Sequence, residues 1–310
     1  MIETLIIVTG PTGVGKTELC LELANRYNTE IINADSRQIY REIPIGTAAP
    51  TMEQQEIVRH HFVGTHSIED YYSAAIYEEE VLETLKEWKS PIALLTGGSM
   101  MYIDAVCHGI DDIPTVRQDV RDLMKNRLAT EGLENLVAEL SLLDPEYYEL
   151  VDKKNPRRIV HALEICHQTG QPYSTFRTGK KKNRKFNVIK IGLTRDVVAK
   201  VKRGQVIYDH SKLYERIDQR VLKMIECGLV EEAHKMMPYR DMQALNTVGY
   251  KELFKHFDGE ITIEEAISQI QSHTHEYARK QLTWYKKDKC ITWFSPNDIK
   301  GITTHIDTNL

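Results

Sequence analysis

Long apolar runs are missing from this 310-residue sequence. No stretch of 18 apolar residues occurs, which excludes a membrane-spanning helix. The short apolar segment 4–9 leads directly into a glycine loop, without the basic leader or cleavage site of a secretion signal. We therefore expect this segment to be a buried strand, and we expect a cytoplasmic protein with no membrane partner.

Cysteine is also scarce. The five cysteines lie about sixty or more residues apart and form neither a C-x-x-C pair nor a metal-binding spacing. The sequence therefore indicates neither a disulfide framework nor a zinc site, and we interpret the cysteines as buried thiols in a reducing cytosol. With 41% apolar and 27% charged residues, the composition is that of an ordinary globular protein.

Charge is unevenly distributed along the chain. The formal net charge is −5, yet residues 151–190 carry eleven Lys and Arg against Asp152 and Glu164, so this segment is +9 and the remainder is −14. A local basic field on an acidic body attracts a polyanion to one place. The alternative is that the lysines around Lys180 to Lys185 form a solvated loop without a partner.

Short apolar segments alternate with helical patterns in the first hundred residues. Segments 4–9, 30–34 and 91–96 have the β-branched character of buried strands. Ser73 is a candidate N-cap for a helix that places Tyr77, Val81, Leu85 and Trp88 on one face. This alternation predicts an α/β fold, a parallel sheet flanked by helices on both faces.

The pattern becomes purely helical between residues 116 and 178 and returns to a strand at 187–193. We therefore predict a P-loop NTPase-like α/β core made of residues 1–115 and 187–310, interrupted by an inserted all-helical subdomain at 116–186 whose basic residues could attract a polyanion. Amphipathic helices are expected near 208–237 and 262–288, and a last strand at 290–294.

A phosphate-binding loop follows the first strand. Its residues match G-x-x-x-x-G-K-[ST] at every defined position, between a strand and a helix: Gly10, Pro11, Thr12, Gly13, Val14, Gly15, Lys16 and Thr17. Backbone N–H groups of such a loop point at phosphate oxygens, Lys16 adds a full charge, and the Thr17 hydroxyl is a natural Mg²⁺ ligand. All eight residues are predicted to bind a diphosphate or triphosphate.

The acidic Mg²⁺ ligand that usually ends a further strand in kinases and NTPases is absent. The third strand runs into Thr96, Gly97, Gly98 and Ser99, without a carboxylate. Asp35, which follows the second strand, is the carboxylate in the expected kind of place. The sequence alone leaves Asp35 as a metal ligand, a base acting on an acceptor, or a cap for the next turn.

The motifs beyond the phosphate loop resemble those of the tRNA dimethylallyltransferases. They extend in order over roughly residues 2 to 296: Asp35 to Arg41, Ile45 to Ala48, His60-His61, Tyr72 to Ala74, Gly97 to Tyr102, Asn155 to Ile159, Ala162 to Glu164, Gly249-Tyr250 and Ala278 to Trp284. The resemblance implies transfer of a dimethylallyl group from dimethylallyl diphosphate to the exocyclic N6 amine of the adenosine 3′ of the anticodon in tRNA. Pyrophosphate is released, with Mg²⁺ as the cofactor.

The resemblance also implies roles for single residues. Asp35 matches the base that accepts the proton of the amine. Thr12, Lys16 and Arg220 complete the predicted catalytic set, because they would stabilise the departing pyrophosphate. Arg216, four residues before Arg220, is expected on the same helix face, and a plain surface charge is its equal alternative.

The resemblance implies two partners, dimethylallyl diphosphate and the tRNA anticodon stem-loop, and it makes the helical subdomain at 116–186 a tRNA-binding one. The reacting adenine must be everted from the anticodon loop. The protein is expected to be a monomer. Thirteen residues are predicted to contact tRNA: Asp35, Ser36, Arg37, Gln38, Ser99, Arg121, Arg157, Arg158, Ile159, Val160, His161, Arg279 and Lys280. Tyr277 and Trp284 on the last long helix could stack on bases, but we interpret both as core residues.

Three positions depart from the family pattern. Ser99 stands where Thr is usual, His275 where Arg is common, and Arg59 where Pro precedes the histidine pair. The Ser99 hydroxyl should preserve its contact, whereas a phosphate contact at His275 is weakened. We assign His60 and His61 a structural or pocket-lining role without catalysis.

Three other functions share part of these features. A nucleotide or small-molecule kinase would have the same loop and Mg²⁺. A transferase that prenylates free adenine nucleotides would not need the basic segment, and a non-catalytic RNA-binding protein would not need a complete phosphate loop facing Asp35.

Overall fold

The computed structural model describes residues 2–202 and 205–310, and side chains are described outside 197–207. The chain divides into two compact units. The first consists of residues up to Cys107 and from Arg184 onward, and the second of His108–Asn183.

The first unit contains a six-stranded sheet in which every neighbouring pair is parallel. In chain order, its strands and those of a separate hairpin are β1 (Thr4–Thr9), β2 (Ile31–Asn33), β3 (His60–His61), β4 (Ile92–Thr96), β5 (Asn187–Leu193), β6 (Val197–Lys202), β7 (Gln205–Asp209) and β8 (Ile291–Phe294). The sheet order is β3-β2-β4-β1-β5-β8, and β6 pairs antiparallel with β7. The predicted parallel sheet is confirmed.

Helices cover both faces of the sheet and supply the secondary structure of the second unit. In chain order they are α1 (Lys16–Arg26), α2 (Met52–Ile57), α3 (Ala74–Lys86), α4 (Met100–His108), α5 (Gln118–Glu131), α6 (Leu133–Leu143), α7 (Pro145–Leu150), α8 (Pro156–Thr169), α9 (Tyr173–Phe176), α10 (Ser211–Glu226), α11 (Leu229–Lys235), α12 (Tyr250–Phe257), α13 (Ile263–Tyr285) and α14 (Ile299–Asn309). Of the helices in the described part of the chain, none combines the length and the hydrophobicity that a membrane span requires.

Every residue of β1 is buried, because its two faces pack on different apolar layers. Ile6 and Val8 contribute to one layer, which also contains α1, α10 and α13 residues, whereas Leu5 and Ile7 contribute to the other, with α3 and α4. This two-sided burial explains the continuous apolar run of the sequence. It also fixes the carboxyl end of β1, where the phosphate loop begins.

Ser73 caps α3, as predicted, since its hydroxyl accepts the Ile76 N–H at 3.3 Å. Tyr77, Val81 and Leu85 are buried on one face of this helix. Trp88 lies beyond the helix end, where its indole N–H donates to the Ile92 carbonyl at 3.1 Å.

The helix expected near 208–237 is two helices, because the chain turns at Gly228, whose φ of 99° is left-handed. Two of the five cysteines, Cys227 and Cys290, are exposed rather than buried. Both lie at the ends of elements, where spacing along the chain does not indicate burial.

The compact helical unit begins at His108, eight residues before the predicted boundary at 116, and ends at Asn183 rather than 186. Hydrogen bonds explain the difference. Asp111 accepts the N–H groups of Thr178 and Gly179, and Gln168 donates to the Thr115 carbonyl at 2.9 Å. The extended segment before α5 is therefore tied to the end of the same unit.

Two of the three cations that the basic segment 151–190 contributes to the first unit have largely buried side chains. Arg184 forms an ion pair with Glu78 at 2.7 Å, and the two side chains are 10% and 6% exposed. Lys190 pairs with Asp288 at 2.6 Å and is 6% exposed at its side chain. These two charges are structural and are removed from the set that could attract a polyanion.

Candidate active site

Three loops meet where β1, β2 and β4 end at the same edge of the sheet. The phosphate loop follows β1, Asp35 follows β2, and Gly97-Gly98 follows β4. The Ala34 N–H donates to the Thr96 carbonyl at 2.6 Å, and the Ser99 N–H donates to the Ala34 carbonyl. A side chain on Gly97 would overlap the Ala34 backbone, so only glycine allows this approach.

The phosphate loop adopts its curled form through glycine at its first position. Gly10 has φ of 144°, and a Cβ there would lie 2.7 Å from the Leu193 carbonyl oxygen in β5. The Lys16 ammonium bends over the loop and donates to the carbonyls of Gly10 and Pro11 at 2.9 and 3.0 Å. A bound phosphate would offer this ammonium group oxygens that carry more negative charge than the two carbonyls.

Two arginines of α10 reach the loop. Arg220 Nη1 donates to the Thr12 hydroxyl at 2.9 Å, and the pair is partly buried. Arg216 Nε donates to the Gly13 carbonyl at 3.0 Å, and its Nη2 lies 3.7 Å from Glu18 Oε1. The predicted shared face is confirmed, and Arg216 contacts the loop instead of standing free on the helix surface.

Asp35 uses one carboxylate oxygen to close the turn that follows β2. Its Oδ1 accepts the N–H groups of Arg37 at 2.9 Å and Gln38 at 3.4 Å. Its Oδ2 has no hydrogen-bond partner among the described residues. The capping role and a chemical role are therefore compatible, since each would use a different oxygen.

The residues after Asp35 are held in place by internal bonds. The Ser99 hydroxyl accepts the Ser36 N–H at 2.8 Å and donates to the Ser36 hydroxyl at 3.0 Å. The Gln38 amide donates to the carbonyls of Thr47 and Ala48. Ser99, with only 9% exposure, therefore supports Ser36 from behind.

Two adjoining cavities surround these groups. The first, of about 240 Å³, is lined by the phosphate loop together with Asp35, Gln38, Arg216 and Arg220. The second, of about 330 Å³, has an apolar wall formed by Ile217, Val221, Met224, Val248 and Ile270. Four residues line both cavities: Thr12, Asp35, Arg220 and Tyr277. A ligand could therefore place an anionic group in one cavity and an apolar group in the other.

Lys16 carries the strongest electrostatic perturbation of the loop. Its pKa is lowered to about 8, mainly by burial and then by the nearby Arg220 guanidinium, while the charge of Asp35 partly opposes both. Burial also lowers the pKa of Arg220. Burial therefore disfavours the charged forms of both Lys16 and Arg220, and a bound anion would stabilise them.

The affinity for inorganic pyrophosphate is expected to fall as the pH rises above about 8. Arg220 and the loop N–H groups still bind the anion, but neutral Lys16 no longer attracts it, and the free-protein pKa of Lys16 is about 8, so the loss is at most about tenfold per pH unit. Ionisation of pyrophosphate itself acts in the opposite direction. Isothermal titration calorimetry between pH 7 and 9 checks this, with Lys16→Met as the control that lacks the transition. A wild-type affinity that stays constant or rises over this range would contradict the assignment.

No group of three or more His, Cys, Asp and Glu that could hold a metal ion occurs within the part of the chain described. The Thr17 hydroxyl lines the first cavity beside the loop. This donor set fits a Mg²⁺ ion that takes one protein oxygen and completes its shell with phosphate oxygens and water. It does not fit a metal held by protein ligands alone.

Six of the predicted tRNA contacts lie in the helical unit. Arg157 and Arg158 are exposed at the start of α8, and the Asn155 side chain caps this helix by accepting the Arg158 N–H. Ile159 is fully buried in the apolar core of the unit and is a core residue, because it lies on the face that packs. The other members are Arg121, Val160 and His161, which are partly exposed.

The last long helix, α13, presents cations and rings together. Arg279 donates to the Tyr214 hydroxyl at 2.9 Å, while Lys280 is exposed. Tyr277 and Trp284 are 40% and 44% exposed, so their interpretation as core residues is wrong. Burial of part of the Tyr277 ring, with the charge of Asp35, raises its pKa to about 12, and the tyrosine stays neutral.

The two histidines of the pair lie in different surroundings. His60 lines the first cavity, and burial lowers its pKa. His61 bonds to Glu30 at 2.6 Å outside both cavities. His275 Nε2 lies 2.8 Å from Asp218 Oδ1, and its ring stacks on Tyr214, the residue that Arg279 contacts. His275 therefore packs against the ring whose hydroxyl Arg279 contacts.

Sequence reasoning missed two buried polar residues near the site. Gln281 bonds to the phosphate loop and to the turn after β4. Glu232 accepts the N–H groups of Ile45 and Gly46 and the Tyr250 hydroxyl. Both are polar residues at core-facing positions of amphipathic helices. Burying a polar group without a hydrogen bond is destabilising, so such a position indicates a bonded partner that the sequence does not identify.

Comparison with known proteins gives one consistent result. The family model "IPP transferase" matches residues 38–288. A tRNA dimethylallyltransferase 1 of Bacteroides fragilis is 52% identical over 310 residues, covering 99% of both chains. A tRNA dimethylallyltransferase 2 of Porphyromonas gingivalis is 54% identical over 301 residues, covering 96% of both chains.

Solved structures agree with the sequence relatives. The tRNA isopentenylpyrophosphate transferase of Bacillus halodurans is 32% identical with a TM-score of 0.67, over 99% of this chain and 95% of that one. A eukaryotic dimethylallyltransferase acting on tRNA has a TM-score of 0.75 over 99% of this chain and 77% of that one. At 22% identity, the latter likeness concerns the fold alone.

Proposed function

Because this chain belongs to the IPP transferase family, we propose that it transfers the dimethylallyl group of dimethylallyl diphosphate to N6 of the adenosine 3′ of the anticodon in tRNA. The chain is a tRNA-modifying prenyl transferase, and the resemblance drawn from its motifs is confirmed. Pyrophosphate is the second product. A tRNA substrate also supports the predicted cytoplasmic location.

The observation that carries the proposal is the pair of cavities joined at Thr12, Asp35, Arg220 and Tyr277. The donor has a dianionic or trianionic head and a five-carbon apolar tail. The phosphate loop suits the head, and the apolar wall of the second cavity suits the tail. The reacting carbon would then lie between them, beside Asp35.

Asp35 is proposed as the general base. The exocyclic amine of adenine is a poor nucleophile because its lone pair is delocalised into the ring, so removal of its proton as the new C–N bond forms lowers the barrier. The Oδ2 atom, which has no partner among the described residues, is available for that proton. The bonds of Oδ1 to Arg37 and Gln38 hold the carboxylate in one orientation.

The departing pyrophosphate gains negative charge as the C–O bond of the donor breaks. Lys16 and Arg220, with the Thr12 hydroxyl, are already placed at the cavity that would receive it. Groups aimed in advance at developing charge stabilise a transition state without reorganising. A Mg²⁺ ion held by Thr17 would neutralise part of the same charge when the donor is bound.

The adenine must leave the anticodon stack to reach Asp35. Arg37 and Tyr277 line the second cavity next to that carboxylate and offer a cation and an aromatic ring. Arg279 and Lys280, exposed on α13, and Arg157 and Arg158, exposed on α8, are proposed to contact phosphates.

Mass spectrometry of nucleosides tests the function directly. tRNA incubated with this protein, Mg²⁺ and dimethylallyl diphosphate, without ATP, is expected to yield N6-dimethylallyladenosine. A strict requirement for ATP would instead support a kinase. Comparable activity on AMP and on an anticodon stem-loop would support a transferase of free nucleotides, and RNA binding without any product would support a non-catalytic role.

Replacing Lys180, Lys181 and Lys182 by Gln is expected to flatten the salt dependence of tRNA binding. All three are exposed, although Lys182 also pairs with Asp112 at 2.9 Å. The slope of log affinity against log salt should fall by about 0.7 to 0.9 for each interaction with a phosphate that the substitutions remove. Filter binding over a salt series measures it.

The matched control replaces three exposed lysines of the first unit that line neither cavity, Lys86, Lys235 and Lys300. Its slope should stay at the wild-type value. An unchanged slope in the Lys180 to Lys182 variant would mean that this cluster is a solvated loop.

A further inference from the structure

Gln281 is a polar residue on the buried face of α13. It is 1% exposed and lies with Ala278, Leu282 and Tyr285, which are all buried. A buried amide is destabilising unless its groups are bonded. Here Oε1 accepts the Thr12 N–H at 2.9 Å, and Nε2 donates to the Gly98 carbonyl at 2.8 Å.

These two bonds connect the phosphate loop to the turn after β4. The Thr12 N–H points at Gln281, whereas the Thr12 hydroxyl accepts from Arg220 at 2.9 Å. A Cβ on Gly98 would lie 2.7 Å from Gln281 Nε2 and 3.4 Å from Asp35 Oδ2. The Gln281 amide and the Asp35 carboxylate therefore flank the same glycine.

We propose that Gln281 is a positioning residue for prenyl transfer, which holds Thr12 and Gly98 at a fixed separation. Through Thr12 it orients the hydrogen-bonded side chains of Thr12 and Arg220, which would receive the diphosphate. Through Gly98 it fixes the backbone beside Asp35. The reaction named here rests on the proposed function, and the hydrogen bonds do not.

Fixed geometry of this kind has a large effect on rate, because a displacement of about 1 Å in the reacting groups can cost about 10²-fold. A Gln side chain suits the task, since it offers one acceptor and one donor at opposite sides of a planar group. Leu fills similar space with neither group. Glu keeps the acceptor for Thr12, and it donates to Gly98 only while protonated.

The test compares Gln281→Leu and Gln281→Glu with the wild type by steady-state prenylation of tRNA. We expect Gln281→Leu to lower kcat by about 10²-fold, with the KM for tRNA changed by less than about threefold. Gln271→Leu, on the same helix and outside both cavities, is the control and should retain wild-type kcat. Thermal unfolding of each variant reports on folding.

A pH series separates positioning from packing. In Gln281→Glu, protonation restores the donor to Gly98, so the ratio of its kcat to that of the wild type should rise as the pH is lowered from about 9 to about 6. The corresponding ratio for Gln281→Leu should stay constant. If Gln281→Leu does not fold, the nearly isosteric Gln281→Glu still decides the question.

Binding of inorganic pyrophosphate distinguishes a failure of this proposal from a failure of the proposed function. Both variants should bind it about tenfold more weakly than the wild type if Gln281 orients Thr12 and Arg220. This holds even if the wild type prenylates no tRNA. Unchanged pyrophosphate affinity, kcat of Gln281→Leu within about threefold of wild type, or a pH-independent ratio for Gln281→Glu would each overturn the positioning role.

Discussion

Replacing Asp35 by Asn is expected to lower kcat for tRNA prenylation by about two to four orders of magnitude, the range usual for general bases. Asn keeps an oxygen that can accept the N–H groups of Arg37 and Gln38, which Asp35 Oδ1 accepts at 2.9 and 3.4 Å. It offers no oxygen that takes up a proton. The loss should therefore appear in the chemical step, while tRNA affinity changes far less.

Single-turnover prenylation and filter binding of tRNA measure the two effects separately. Asp35→Ala should show a similar loss of rate, with some added weakening of tRNA binding because it also opens the turn. Asp70→Asn is the matched control, since the Asp70 carboxylate also accepts a turn N–H, that of Ser67, outside both cavities. Near-normal turnover of Asp35→Asn would remove Asp35 from the mechanism.

The part of the site that depends on local sequence could be predicted well. The loop that starts at Gly10 and ends at Thr17 is set by its glycines and by the strand and helix on either side. Asp35 follows the next strand, and parallel strands end at a common edge. These two segments, and the sheet that positions them, therefore followed from residue patterns alone.

Contacts between distant segments could not be predicted in the same way. Gln281 bonds to Thr12 across 269 residues of sequence, and Glu232 bonds to Gly46 across 186. Periodicity marks a helix face as buried but does not say which backbone groups lie opposite it. Tyr277 shows the same limit, since an aromatic residue on an amphipathic helix was assigned to the core and instead lines the site.

The net charge of a segment predicts where a polyanion is attracted, but it does not show which of the basic residues are exposed. The excess of cations in 151–190 is real, yet Arg184 is bonded to Glu78 and to the carbonyls of Ala105 and Val106. Removing one partner of such a buried pair typically destabilises a protein by about 3 to 5 kcal/mol. A basic residue next to a strand can therefore serve the fold, and only its burial distinguishes the two roles.

Replacing Arg220 by Met is expected to lower kcat by about 10² to 10³-fold, because it removes a preorganised donor at the leaving pyrophosphate. Arg216→Met is the matched control four residues earlier on α10. The Arg216 side chain is 42% exposed, and its guanidinium donates to the Gly13 carbonyl. We therefore expect kcat of Arg216→Met to fall by about tenfold or less. Equal losses in the two variants would mean that general positive charge, not the position of Arg220, is what matters.

The bond from Arg220 Nη1 to the Thr12 hydroxyl makes a sharper test possible. If the two side chains act on pyrophosphate as one unit, Thr12→Val removes the partner that orients the arginine, and the losses of the single variants will not multiply. The double variant should then be only slightly slower than Arg220→Met, as judged by kcat and by the affinity for pyrophosphate. Independent, multiplying losses would instead mean that Thr12 and Arg220 contact different parts of the donor.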